Sequence, residues 1–207
     1  MGRPGNAQSR RIAMAMALMY VRGSTAVGVH EICPQAGVYK GSVYHCFPSK
    51  QARVLAVIDT YGAHIRGLWE DVMTTDGSLR ERLQRVFAHT YSVHDQLLTG
   101  SGQLYGCPLG NLALELGGQD PVVRQKLHAM FSAWARVIER SLREAMASGA
   151  LPALDPVTTA QTVVAYFEGV MMLAKTQQTP EVLTQLAHGA VALVEAAAGA
   201  SLSAEHG

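Results

Sequence analysis

Three times in the second half of this chain a capping residue is followed at once by proline: Asp120-Pro121, Asp155-Pro156 and Thr179-Pro180. Asp and Thr side chains accept hydrogen bonds from the free amides of a first helical turn. Proline lacks an amide hydrogen and is pre-set near the helical φ, so it suits the first helical position and not the interior. Each pair therefore predicts a helix start, and Ser78-x-x-Glu81 adds a capping box. The expected helices run from about Lys50 to Met73, Ser78 to about Gln96, Pro108 to Leu116, Pro121 to Gly149, Pro156 to about Lys175 and Pro180 to near Ala198. Loops are expected at 74–77, 97–106, 117–119 and 150–154. No hairpin signal competes, so the expected fold class is all-α. A chain of 207 residues can bury a sizeable core, as one long domain or as a small domain joined to a larger one.

The N-terminal part carries a different signal, the run GVYKGSVYHCFPSK from Gly37 to Lys50. Upstream, Val29, Ile32 and Ala36 repeat at helical spacing, so a short helix can bury one stripe before Gly37 takes a left-handed turn. A second short helix is expected near Tyr39, with Val43 and Phe47 spaced to face inward. Lys40, Gly41, Ser42, Tyr44 and His45 are left to project, or to let the backbone approach a surface, as a groove-reading helix requires. Pro48 ends that helix, and Ser49 caps the next, placing the cation of Lys50 in a first turn where a phosphate beside it would offset the dipole. A tight helical hairpin with no partner would look similar, and charge separates the two readings. Up to residue 70 the chain holds eight Lys or Arg against three Asp or Glu; the remainder holds nine against thirteen, so +5 and −4 make the net +1. Arg3, Arg10, Arg11, Arg22, Lys40, Lys50 and Arg53 bracket the hairpin, the spread of cations that a phosphate backbone demands.

Residues 3–60 resemble the DNA-binding domain of the TetR family of bacterial transcriptional regulators. Gly23, Val29, Ile32, Ala36, Gly37, Val38, Lys40, Gly41, Ser42, Tyr44, His45, Phe47, Ser49 and Lys50 match its pattern in one ungapped register. The resemblance implies an N-terminal three-helix helix-turn-helix domain, here 1–50, and a larger C-terminal helical domain for ligand binding and dimerisation, here 51–207. It also implies DNA contacts from Lys40, Gly41, Tyr44, His45 and Lys50. Ser42 and Tyr39 share the reading helix, and Arg3, on the polar arm, either enters a neighbouring minor groove or belongs to a solvated, disordered terminus. The chain departs from the family pattern at Val27-Gly28, which offer no capping hydroxyl, at Tyr39, which replaces a small hydroxyl residue, and at Pro34, which shortens or distorts the preceding helix.

The last two expected helices are apolar on more than one face. Val163, Val164, Phe167, Val170 and Met171 mark one, and Leu183, Leu186, Ala190, Val191 and Val194 the other. Either they complete the core of a monomer or they pair with a second copy as an intermolecular four-helix bundle, giving a two-fold reader of a palindromic operator. Family resemblance favours the homodimer. Tyr105, Phe131, Trp134, Tyr166, Phe167, Met171 and Met172 are candidates to line an apolar effector cavity, with ordinary core as the alternative for each.

Cys107 lies between Gly106 and Pro108, so a helix starting at Pro108 places it at the N-cap, where free amides and the helix dipole favour a thiolate. The run from Gly106 to Glu115, with Gly169 and Ala174-Lys175, resembles the family branch that contains the repressor of N-ethylmaleimide reductase, a sensor of electrophiles and hypochlorous acid. In that repressor a cysteine at the position of Cys107 reacts and a lysine at the position of Lys175 is its partner. The alternative is a small buried Cys107 and a Lys175 that complements a helix C-terminus.

Other classes fare worse. His30-x-x-Cys33 and His45-Cys46 hold potential zinc ligands, but adjacent helical residues point about 100° apart and the paired C-x-x-C spacing is missing. No metal or cofactor is expected. There is no Gly-rich phosphate loop and no G-x-S-x-G elbow, so an enzyme is not expected either. Hydrophobic residues make up 48%, yet no run approaches roughly 18 apolar residues, and no membrane partner is expected. Three cysteines, at 33, 46 and 107, suit a reducing cytoplasm. The sequence thus points to a cytoplasmic regulator released from double-stranded operator DNA by a small effector or by modification of Cys107. A helical dimeric enzyme and a DNA-independent interaction protein are the alternatives.

Overall fold

The computed structural model describes residues 48–204, with side chains for residues 48–200. The expected DNA-reading residues Arg3, Tyr39, Lys40, Gly41, Ser42, Tyr44 and His45 lie outside the described residues, as do Pro34, Cys33 and Cys46. Seven helices follow within the described residues: α1 Lys50–Met73, α2 Leu79–Ser101, α3 Pro108–Leu116, α4 Pro121–Ala147, α5 Pro156–Gln177, α6 Glu181–Gln185 and α7 Ala187–Ala204. No strand occurs among the described residues.

The caps start these helices where the sequence puts them. Ser49 Oγ accepts the Ala52 amide at 3.0 Å, opening α1 with Lys50 exposed in its first turn. Ser78 and Glu81 form the reciprocal box, the Ser78 amide donating to Glu81 Oε2 at 2.7 Å and the Glu81 amide to Ser78 Oγ at 3.3 Å. Asp120 Oδ1 accepts from Val122 and Val123 at 2.9 and 3.1 Å, and Asp155 Oδ1 from Val157 and Thr158 at 3.0 and 3.3 Å.

Some helix bounds differ from expectation, the last helix running to Ala204 rather than ending near Ala198. Helix α2 runs past Gln96 to Ser101 and stops where Gly102 turns left-handed at φ 73° and donates its amide to Leu98 O at 2.7 Å. The helix expected from Pro180 to Ala198 is broken at Leu186 into α6 and α7. There the Tyr166 hydroxyl donates to Leu186 O at 2.8 Å, and its ring fills the space over Gly189, where a Cβ would collide with it. Thr179 is not the cap of α6; its hydroxyl instead donates to Gln177 O at 3.0 Å.

The described residues divide into two units. In one, which takes residues up to Ile65 together with Pro108–Met130, Val54, Val57 and Ile58 of α1 are buried, as are Leu109, Leu112, Val123 and Leu127. Gln51 Nε2 donates to Asp120 Oδ2 at 2.8 Å and Lys126 pairs with Asp59 at 2.5 Å. In the other, from Arg66 to Cys107 and from Phe131 onward, the core is an aromatic chain centred on Phe167. Phe167 meets Trp69 edge-on at 5.0 Å and Phe87 at 5.3 Å; Trp69 stacks on Trp134 at 5.7 Å, and Phe131 meets Trp134 at 5.3 Å. Contacts of this kind add about 0.5–1.5 kcal/mol per pair beyond area burial.

In this second unit α7 packs against α2 and α5, and α6 against both as well. That settles where the apolar faces go. Val163, Val164, Phe167, Val170, Met171, Leu183, Ala190, Val191 and Val194 are all buried within the single chain, and Leu186 is half-buried. They complete a protomer core, so these faces do not await a second copy as their apolar character suggested. By length and composition α5 and the stretch Glu181–Ala200 also match a membrane span, and their packed faces are those of core helices.

Candidate functional site at Cys107

The segment from Gly102 to Cys107 joins α2 to α3 and is tied down at nearly every residue. Gln178, the left-handed end of α5 at φ 53°, clasps Leu104 from both sides. The Leu104 amide donates to Gln178 Oε1 at 2.9 Å, and Gln178 Nε2 donates to Leu104 O at 3.0 Å. From α2, buried His94 places Nδ1 2.8 Å from Thr90 O and also hydrogen-bonds the Gly106 backbone. Burial pushes its pKa below the ordinary value, against the opposing pull of those two backbone bonds.

Gly106 has to be glycine for two reasons. Its φ is +73°, and a Cβ built there would lie 3.1 Å from Lys175 Cδ and 3.3 Å from Lys175 Cβ. The aliphatic stem of half-buried Lys175 therefore lies directly against Gly106, the chain neighbour of Cys107. Cys107 itself is 6% exposed and reduced, and Pro108 begins α3 immediately after it. Its thiol hydrogen-bonds the carboxyl group of Glu168. Burial pushes the Glu168 pKa up to about 7, although the thiol hydrogen bond pulls the other way, and its Oε1 is buried with no hydrogen-bond partner among the described residues.

Of the expected sensor residues, Cys107 and Lys175 are thus drawn to one segment, with half-buried Tyr105 inside it. Trp134 and Phe167 are packed ring to ring, Tyr166 spends its hydroxyl on Leu186, and Met171 is buried on α5. Met172 is 54% exposed and points away from that core. Sequence reasoning missed Glu168, His94 and Gln178. One signal was available: Glu168 and Lys175 are the two charged residues of the otherwise neutral α5, and seven positions is two helical turns, hence one face.

The family "Bacterial regulatory proteins, tetR family" matches residues 12–57, and "Tetracyclin repressor-like, C-terminal domain" matches residues 79–190. The transcriptional regulator AcuR of Cereibacter sphaeroides is 33% identical over 78% of this chain and 73% of its own length. The HTH-type transcriptional repressor NemR of Escherichia coli is 27% identical over 86% of this chain and 88% of its own. Among solved structures, a regulatory protein TetR from Rhodobacter sphaeroides aligns at a TM-score of 0.76 with 28% identity, covering 88% of this chain and 96% of that one. The chain belongs to the TetR family of DNA-binding transcriptional regulators. Its matched families and relatives are regulators, not enzymes.

Proposed function

We propose that this regulator is a homodimeric repressor whose hold on a palindromic operator is released when Cys107 reacts with an electrophile or oxidant. The observation that carries the reading is the convergence of Cys107, Glu168 and Lys175 on one clasped segment. Cys107 is bonded to Pro108, and α3 shares a unit with the first turns of α1, so an adduct at Cys107 acts on the helix that leads directly from the DNA-reading segment. A thiol that is 6% exposed favours small reagents, or a segment that first opens. The relative NemR is named a repressor, and a reduced form of it has been crystallised, which supports a redox-competent sensor here.

In this reading residues 1–50 bind DNA, with Lys40, Gly41, Ser42, Tyr44, His45 and Lys50 on the groove and its phosphates, Tyr39 tuning operator preference and Arg3 in the minor groove. Residues 51–207 sense and dimerise, in the cytoplasm where the chromosome lies. The dimer face is the outer stripe of α5 and α7 rather than their buried faces. Ala165, Met172, Leu173, Ala192, Ala196 and Gly199 leave it apolar or small, and Gly169 and Gly199 have open space at the Cβ position. In this reading Tyr105, half-buried in the same segment, meets the incoming effector.

The test is operator release by N-ethylmaleimide and by hypochlorous acid in Cys107→Ser and Cys46→Ser proteins. The proposal expects release to vanish in Cys107→Ser and to persist in Cys46→Ser. Retained release in Cys107→Ser with loss in Cys46→Ser rejects it, because a bulky group beside His45 would then block DNA directly.

A further inference from the structure

Resting on the reading of Cys107 as the reacting thiol, we propose that Glu168 is its acid–base partner, taking the thiol proton as sulfur bonds to an electron-poor alkene and returning it to the adduct. The geometry supplies each part. The thiol already donates to one carboxylate oxygen, so a proton path exists before any reagent arrives. The second oxygen, Oε1, is buried and has no hydrogen-bond partner among the described residues, which leaves an acceptor unused beside the thiol-bonded one. Buried polar atoms of that kind are rare and demand an explanation.

The step balances without an outside oxidant or reductant. Ionised Glu168 accepts the Cys107 proton while a sulfur lone pair forms the C–S bond at the β-carbon of an alkene conjugated to a carbonyl. The alkene π pair moves toward the carbonyl oxygen, giving an enolate. Protonated Glu168 then gives its proton to the α-carbon, so the product is a thioether and the carboxylate is regenerated. A carboxyl group that burial holds near 7 is half-ionised at neutral pH and can serve in both directions. A surface carboxylate would be a far weaker base. Among the described residues, His94 from α2 and Lys175 from α5 are titratable groups set against this segment, one bonded to the Gly106 backbone and the other packed along it. Lys175 lies two helical turns from Glu168 on the same face of α5.

The experiment follows Cys107 adduct formation with N-ethylmaleimide by peptide mass spectrometry, in the full-length protein from pH 5.5 to 8.5, alongside operator release. Wild type should show a rate that climbs with a midpoint near 7, following Glu168. In Glu168→Gln the rate at pH 7 should drop by about 100-fold, the size typical of a lost general base, and that limb should disappear. Glu168→Asp should restore a carboxyl-dependent limb with a shifted midpoint, a change that loss of packing alone does not produce. Operator binding before alkylation checks that each variant is folded; if Glu168→Gln binds no operator, the Glu168→Asp midpoint decides, and one unchanged from wild type overturns the proposal. A Glu168→Gln protein that reacts as fast as wild type with the same profile also overturns it. That outcome leaves the Cys107 reading standing, whereas operator release that persists in Cys107→Ser removes the reading itself.

Discussion

Glu168 and His94 tie the stability of the sensor segment to pH in opposite directions. Burial lifts Glu168 from 4.5 to about 7, so between those values the native chain keeps a proton that the unfolded chain has lost. Stability therefore falls as pH rises through that window and stays lowered above it. Glu168→Gln removes the penalty, and urea titrations should find it roughly 1–3 kcal/mol more stable than wild type at pH 8 and about equal at pH 4.5. His94 works the other way. Its pKa is depressed from 6.5, so the unfolded chain takes up more protons as pH drops below that value, and the clasp weakens on acidification. At Gly106, alanine meets both a left-handed backbone and the Lys175 stem, and Gly106→Ala should lower the thermal midpoint while displacing Lys175. The sequence made Cys107 conspicuous through its place before Pro108. It did not disclose that the thiol would face a carboxyl group, because that pairing depends on how α5 packs against a loop some sixty residues earlier.

At the scale of elements, helix starts were readable because capping is local: Ser49, Ser78, Asp120 and Asp155 all bond amides within three residues of themselves. The break at Leu186 was not readable, since the side chain that meets it, Tyr166, comes from a different helix. Tyr166→Phe should leave Leu186 O with the Gly189 amide alone, at a cost of about 1 kcal/mol in equilibrium unfolding. Gly189→Ala should cost more, because its methyl group meets the ring itself. Leu104 is held by a two-point clasp from an amide at the end of α5, which no local pattern announces. Gln178→Ala should accelerate hydrogen exchange at the Leu104 amide selectively, leaving the amides in the middle of α2 protected. The apolar faces of α5 and α7 were correctly located in sequence and wrongly assigned, since a count of apolar residues cannot say whether the covering surface comes from the same chain or another.

For the whole molecule, the consequence is a protomer with a complete core whose outer α5 and α7 stripe is small enough for close helix approach. Gly169→Arg, placed where a side chain has open space within the protomer, should leave folding intact, shift sedimentation toward monomer and weaken operator binding. Unchanged sedimentation would move the dimer face elsewhere. The central claim is that chemistry at Cys107 governs occupancy of DNA, and it is tested most directly by titrating the operator-bound protein with N-ethylmaleimide. In each sample, the fraction of operator freed is compared with the fraction of protein carrying the adduct at Cys107, read by peptide mass spectrometry. The account predicts that the two fractions rise together, and that Cys107→Ser stays bound throughout. Full modification of Cys107 with the operator still occupied, or complete release from Cys107→Ser, would contradict it.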